Sequence, residues 1–195
     1  MGKKVYVDVS ARHIHLREED VEVLFGPGVD LSRRNKSNFM GDGVMVFNER
    51  LEIKGPKGSI KNVTILGPLR RYIQVEISAT DARKLGVPAV IRDSGNHEGT
   101  PGCEIIGPYG TIVIDKGVIV ARRHIHLNDA DAEEIGVKNN DLIGIKIEGT
   151  GRALILNDVV VHTNPRCKTT VHIDTDEANA AGMPGGMMGE IVVPS

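Results

Sequence analysis

Tryptophan is missing from the 195 residues, and only three phenylalanines and three tyrosines are present. Single-stranded nucleic acids are held by stacking bases on aromatic platforms, and six scattered rings supply few. The formal charge is −2, so the basic footprint that a polyanionic partner favours is lacking too. Cysteine is scarce: Cys103 and Cys167 stand far apart, which argues against a disulfide framework and for a reducing compartment. No apolar run approaches the roughly 20 residues of a membrane span, and the start, Gly2-Lys3-Lys4-Val5-Tyr6, offers no signal-peptide core. Neither a Gly-x-x-x-x-Gly-Lys-Ser/Thr loop nor a Gly-x-Ser-x-Gly elbow occurs, which removes a Walker-type nucleotide site and an α/β-hydrolase nucleophile. No Cys-x-x-Cys is present, and covalent catalysis by either cysteine has only a weak claim. These absences leave a cytoplasmic protein that builds its core from Val, Ile, Leu and Ala.

What is present is histidine in a pattern. Four of the seven form two His-x-His pairs in near-identical text, Ala11-Arg12-His13-Ile14-His15-Leu16 and Arg122-Arg123-His124-Ile125-His126-Leu127. Each follows a β-branched run, and the 111-residue offset also aligns Val7 with Val118, Val9 with Val120 and Asp20 with Asp131. A duplicated supersecondary unit and two similar halves are expected. In a strand, residues i and i+2 share a side, so each pair presents two imidazoles together, as a first-row metal requires. Zn²⁺ fits, and imidazole also suits Fe, Ni, Co or Cu. His172, in the alternating stretch Thr170-Val171-His172-Ile173, is a candidate third ligand for the second pair. Glu76, in Gln74-Val75-Glu76, holds the corresponding place for the first, with an exposed strand glutamate as the alternative. His97 and His162 lie in turn-like text and read as surface residues. An arginine near such a pair suits phosphate or carboxylate, whereas Arg33, Arg34, Arg71, Arg122 and Arg166 read as solvated charges.

Short helices capped by Thr, Asn or Asp recur from Thr80 to Gly86, from Asn128 to Gly136 and from Asp174 to Gly182, each with a glycine at its end suited to a left-handed cap. Glu18 to Gly26 is a fourth copy in which Arg17 replaces the expected cap. Gly55-Pro56-Lys57-Gly58 and Gly107-Pro108-Tyr109-Gly110 each separate two short β-rich runs, as a hairpin does. The helices are too short and irregularly spaced for a doubly wound parallel sheet. The reading is mainly β, two barrel-like halves carrying short helices, with Ser32 to Gly43 a polar loop.

These residues resemble the phosphotransacylases of the propanediol-utilisation type, the phosphate propanoyltransferase family. The resemblance rests on Ser10 to Leu16, Leu24-Phe25-Gly26-Pro27-Gly28, Leu66-Gly67-Pro68, Gln74-Val75-Glu76, Asp81 to Gly86, Arg92-Asp93-Ser94-Gly95, Arg123 to His126 and His172 to Asn179, nearly the whole chain. It implies two β-barrel domains capped by short helices, 11–122 and 1–10 plus 123–195, with the active site between them and a homodimer. It implies the interconversion of acyl-CoA plus phosphate with acyl phosphate plus CoA, acetyl or propanoyl. By the same resemblance one zinc is held by His13, His15 and Glu76 and another by His124, His126 and His172. Arg70 then binds phosphate, and Ser10, Leu66 and Asn179 line the CoA site. His172 is the general base if it is not held tightly by metal. The CoA-contacting lysine falls at Lys36, or its role passes to Arg34. Thr64 stands where a basic residue is common, and Ser37 to Gly43 replaces a Ser-Gln-Pro-Gly-Gln-like segment. Microcompartment-associated members carry an N-terminal extension, so association with a shell is not expected here. Two other classes stay open at this point. A cupin-like single-metal enzyme matches His13-x-His15 with Glu19 but leaves the second pair unexplained, and a non-catalytic metal-binding module predicts binding without turnover. An amidohydrolase barrel needs roughly 250 residues.

Overall fold

The computed structural model of the chain describes residues 2–32 and 45–193. In chain order the elements are β1 (Lys4–Ser10), β2 (His13–His15), α1 (Glu18–Phe25), β3 (Met45–Lys54), β4 (Ser59–Gly67), β5 (Gln74–Glu76), α2 (Ala79–Leu85), β6 (Ile91–Arg92), β7 (Cys103–Ile106), β8 (Thr111–Ile114), β9 (Val118–Ala121), β10 (His124–Leu127), α3 (Asp129–Ile135), β11 (Leu142–Ile147), β12 (Leu154–Thr163), β13 (Thr170–Asp174), α4 (Thr175–Ala180) and β14 (Met187–Val192). They fall into two compact units, one of Ala11–Ala121 and one of Met1–Ser10 with Arg122–Ser195.

The unit of Ala11–Ala121 is built on one eight-stranded curled sheet in the order β6-β9-β5-β2-β4-β3-β7-β8. The His-x-His strand β2 is central in it, parallel to β4 and antiparallel to β5. The core gathers Ile14, Leu24, Ile53, Ile65, Val75, Leu85 and Ile105, all fully enclosed. Both expected hairpins form: Gly55 N donates to Gly58 O at 2.9 Å and Gly107 N to Gly110 O at 2.9 Å.

The other unit is a closed barrel in the order β1-β13-β10-β12-β11-β14. Closure leaves no strand edge unpaired, and the inward residues Val7, Ile125, Ile145, Val159, Val161 and Val171 are 0% exposed. The alternation in β10 is what turns its histidines: Ile125 and Leu127 enter the core, and His124 and His126 face the other way.

Helix ends follow side-chain chemistry. Asn128 and Asp174 cap α3 and α4 as their positions suggest. For α2 the cap is Ser78, two residues before Thr80, because Ser78 Oγ accepts from Asp81 N at 3.2 Å and so completes a reciprocal pair with Asp81. At α1 the arginine side chain has no acceptor to offer, and Asp20 takes over by accepting from Arg17 N at 2.9 Å. Gly86 and Gly136 close α2 and α3 in the left-handed conformation, both at φ 79°. No helix among the described residues is long and apolar enough to cross a membrane.

Candidate functional site

Each His-x-His strand is joined by a third residue able to bind metal, supplied by the antiparallel neighbour. In β5 Glu76 lies opposite His13, and in β13 His172 lies opposite His124. The results are two groups, His13 with His15 and Glu76, and His124 with His126 and His172. In each, one ligand atom from every residue lies within 4.8 Å of the others.

The tautomers are set in the same way in both. His13 Nδ1 lies 2.9 Å from Ala11 O, and His124 Nδ1 lies 2.9 Å from Arg122 O. A carbonyl only accepts, so each Nδ1 carries a proton and each Nε2 is the nitrogen turned toward the group. His172 Nδ1 is 3.7 Å from Asp8 Oδ2, which leaves its Nε2 for the group as well. In the first group Glu76 Oε2 is 3.3 Å from His13 Nε2 and Oε1 is 3.6 Å from His15 Nε2. Burial opposes charge on Glu76, yet the facing histidines hold its carboxyl well below the ordinary range. Burial also works against a charged His13, but the Glu76 carboxylate outweighs it and raises that pKa. His15, chiefly through burial, is held down. In the second group burial, followed by the neighbouring His124 and His162, lowers His126 to about 4. Converging imidazole nitrogens with one carboxylate in the first group, and imidazole nitrogens alone in the second, form donor sets that suit a divalent first-row metal.

Around the first group stands a hydrogen-bonded frame. Gln74, fully buried, accepts from Gly95 N at 2.8 Å through Oε1. A backbone N–H can only donate, so the amide orientation is determined and Nε2 points to Glu76 Oε1 at 2.6 Å and Ser94 Oγ at 2.9 Å. His97 Nε2, 3.0 Å from the same Oε1, must then be the donor. Arg70 Nη1 donates to Ser94 Oγ at 3.0 Å, and Arg70 N donates to Leu16 O at 2.8 Å, just beyond β2. Ser94 Oγ thus receives two N–H groups, and its own proton is left to be donated outward. The guanidinium also lies 5.8 Å from the Tyr72 ring, and its charge disfavours protonation of His13, His15 and His97.

The remaining expected residues are distributed as follows. Ser10 ends β1 opposite Asp174, Leu66 is buried in β4, and Asn179 is exposed on α4. Lys36, Arg34 and the segment from Ser37 to Gly43 lie outside the described residues. Two histidines depart from their reading as surface residues. His97 is half-buried and bonded to Gln74, and His162 sits near the end of β12 opposite His126. The signal for His162 was the β-branched run Val159-Val160-Val161 just before it, which carries β12 through Thr163. Gln74 and Ser94 lie in segments that carry the family resemblance, but neither was given a role of its own, since their partners converge only in the folded unit. Burial pushes the Cys103 thiol up to about 12 and raises that of Cys167, so neither is a ready thiolate.

The family model described as phosphate propanoyltransferase matches residues 6–184. The phosphate propanoyltransferase of Thermotoga maritima is 47% identical over 188 residues, covering 96% of this chain and 89% of that protein. That of Enterococcus faecalis is 45% identical over 186 residues, covering 95% and 87%. That of Salmonella typhimurium is 46% identical over 180 residues, covering 92% and 84%.

Proposed function

Since the chain belongs to the phosphate propanoyltransferase family, we propose that it is an acyltransferase moving an acetyl or propanoyl group between coenzyme A and inorganic phosphate. Acyl-CoA and phosphate give acyl phosphate and CoA: a phosphate oxygen forms the new bond to the acyl carbon, the C–S bond breaks, and the thiolate leaves with the bonding pair. The observation that carries the reading is the Arg70 guanidinium tethered through Ser94 and Gln74 to the group of His13, His15 and Glu76. A permanent cation beside a metal donor set is suited to a tetrahedral anion.

In this reading Arg70 grips phosphate with two N–H groups, and the outward proton of Ser94 adds a third donor. Gln74 holds Glu76 in its ligand orientation, and the carbonyls of Ala11 and Arg122 hold His13 and His124 in theirs. We assign one zinc to His13, His15 and Glu76 and one to His124, His126 and His172; a zinc held there would supply Lewis-acid chemistry toward the thioester and the thiolate it releases. With three ligands each, both groups match open rather than closed sites. His172 is assigned to metal rather than to general-base work, since it completes the group with His124 and His126. The raised cysteine pKa values support direct attack by phosphate without an acyl-enzyme. Ser10, Leu66, Asn179 and Lys36 are assigned to CoA on the family resemblance, and so is a homodimer.

The test is phosphate-dependent release of free thiol from acetyl-CoA and propanoyl-CoA by the zinc-loaded protein, with and without chelator. We expect turnover that needs phosphate and is lost on metal removal. Folded, zinc-loaded protein that releases no thiol from either substrate would overturn the reading.

A further inference from the structure

The face of the barrel that carries His124, His126 and His172 holds a fourth imidazole. β12 runs parallel to β10 with Val160 opposite His124 and His162 opposite His126. Paired positions on neighbouring strands direct their side chains to the same face, so His162 stands in the same row as the three. Its ring centroid is 5.4 Å from that of His124 and 6.0 Å from that of His126. Centroid separations among the three run from 5.0 to 5.4 Å. His162 is therefore only slightly farther out, and it is half-exposed.

The other unit supplies the contrast. There β4 runs parallel to β2 with Thr64 opposite His13 and Ile65 opposite Ile14, and the next step along that register brings Leu66 beside His15. Where the first group has an aliphatic neighbour, the second has a ligand-type side chain. The two groups are alike in three donors and differ at this strand position.

We propose that His162 is a fourth nitrogen donor of the His124–His126–His172 group, giving a divalent metal there three close histidines and one exchangeable histidine. The inference rests on the proposed metal at that group. His162 is the exchangeable donor because its nitrogens are not among those that lie within 4.8 Å of one another, so it must swing inward to bind. A site with four fixed protein ligands is closed, and one with three keeps a position open; a movable fourth histidine allows both.

Cobalt(II) titration of the full chain, followed by its visible ligand-field bands, tests this. In His162→Leu, which introduces the residue type found at Leu66, one of two cobalt equivalents should bind about tenfold or more weakly, with an altered band shape. His162→Gln should do the same, which guards against an effect of the leucine alone. Unchanged affinity and spectrum in both variants would overturn the inference. His124→Ala separates the two levels. If it loses one cobalt equivalent while the His162 variants lose nothing, only the fourth-donor assignment fails. If it too binds two equivalents normally, the metal reading of the group fails and the inference falls with it.

Discussion

Gln74 and Glu76 are on the same face of one short strand, and the amide of the first donates to the carboxylate of the second at 2.6 Å. That bond occupies one lone pair of Glu76 Oε1 and leaves the carboxylate turned toward His13 and His15. Because Gln74 Oε1 is already committed to Gly95 N and His97, the amide cannot flip and release the carboxylate. Gln74→Leu should therefore weaken zinc at the first group by about 10–100-fold, the usual cost of losing a ligand's hydrogen-bonded support. It should also cost about 1–3 kcal/mol of stability by stranding the polar partners. Chelator competition and denaturant unfolding read the two effects, and wild-type zinc affinity in this variant would rule out the positioning role.

The helix after Glu76 is anchored to the strand region before His13. Asp81 accepts from Ser78 N and from Arg12 Nε, the latter at 2.8 Å, and it is 4% exposed. Ser78→Ala removes one N-cap bond and should cost about 1 kcal/mol. Asp81→Ala removes the cap's partner and also leaves Arg12 unpaired next to the ligand pair, so it should cost more than Ser78→Ala. Equal thermal shifts in the two variants would show that the Arg12 contact contributes nothing.

The His-x-His repeat was legible because a strand's period of two is simple and both copies carry it. Glu76 and His172 were legible as alternating-strand residues ahead of capped helices, though only the pairing of β5 with β2 and of β13 with β10 explains why they reach the pairs. Gln74 was not legible as a support. Its four partners come from 76 and from 94–97, and a buried glutamine has no sequence pattern of its own. His162 reads as turn text because Asn164-Pro165 follows within two residues, whereas β12 continues through Thr163 before that turn. The cap of α2 was displaced to Thr80 because Thr and Ser are chemically alike as caps, and the reciprocal bond with Asp81 decides for Ser78. Mainly β architecture with short helices followed from turn text and β-branched runs, but nothing in composition distinguishes a closed barrel from a curled sheet. Closure depends on long-range pairs such as β1 with β13 and β14.

Without metal, the histidines make stability depend on pH, and the sign differs between them. The folded-state pKa of His126 is about 4, below its ordinary 6.5, from burial and then from His124 and His162. Between those values the unfolded chain binds the proton more readily, so stability falls as pH falls through that window. His15 acts in the same direction through burial. His13 acts in the opposite one: its raised pKa adds stability below 6.5 that is lost as pH rises through its folded value. Glu76, depressed, adds stability above 4.5 that is lost as pH falls through its folded value. In chelator-treated protein, His126→Gln should flatten the decline of Tm between about pH 6.5 and pH 4. An unaltered decline would place the titrating groups elsewhere.

Arg70 lies beside the group of His13, His15 and Glu76, and its replacement tests the proposal that it takes phosphate rather than the phosphates of CoA. The Arg70 backbone N–H is fixed on Leu16 O and the guanidinium is held on Ser94 Oγ, so the side chain is pre-oriented rather than searching. Loss of a charged hydrogen-bond partner of this kind costs about 1.5–3 kcal/mol, or about 10–100-fold in affinity. Arg70→Ala should raise KM for phosphate by that factor while KM for acyl-CoA changes little. Arg70→Lys should recover only part of the loss, because an ammonium cannot form the paired bonds of a planar fork. The opposite pattern, an unchanged phosphate KM with a raised acyl-CoA KM, would move Arg70 to the coenzyme and leave Ser94 without its assigned role toward phosphate.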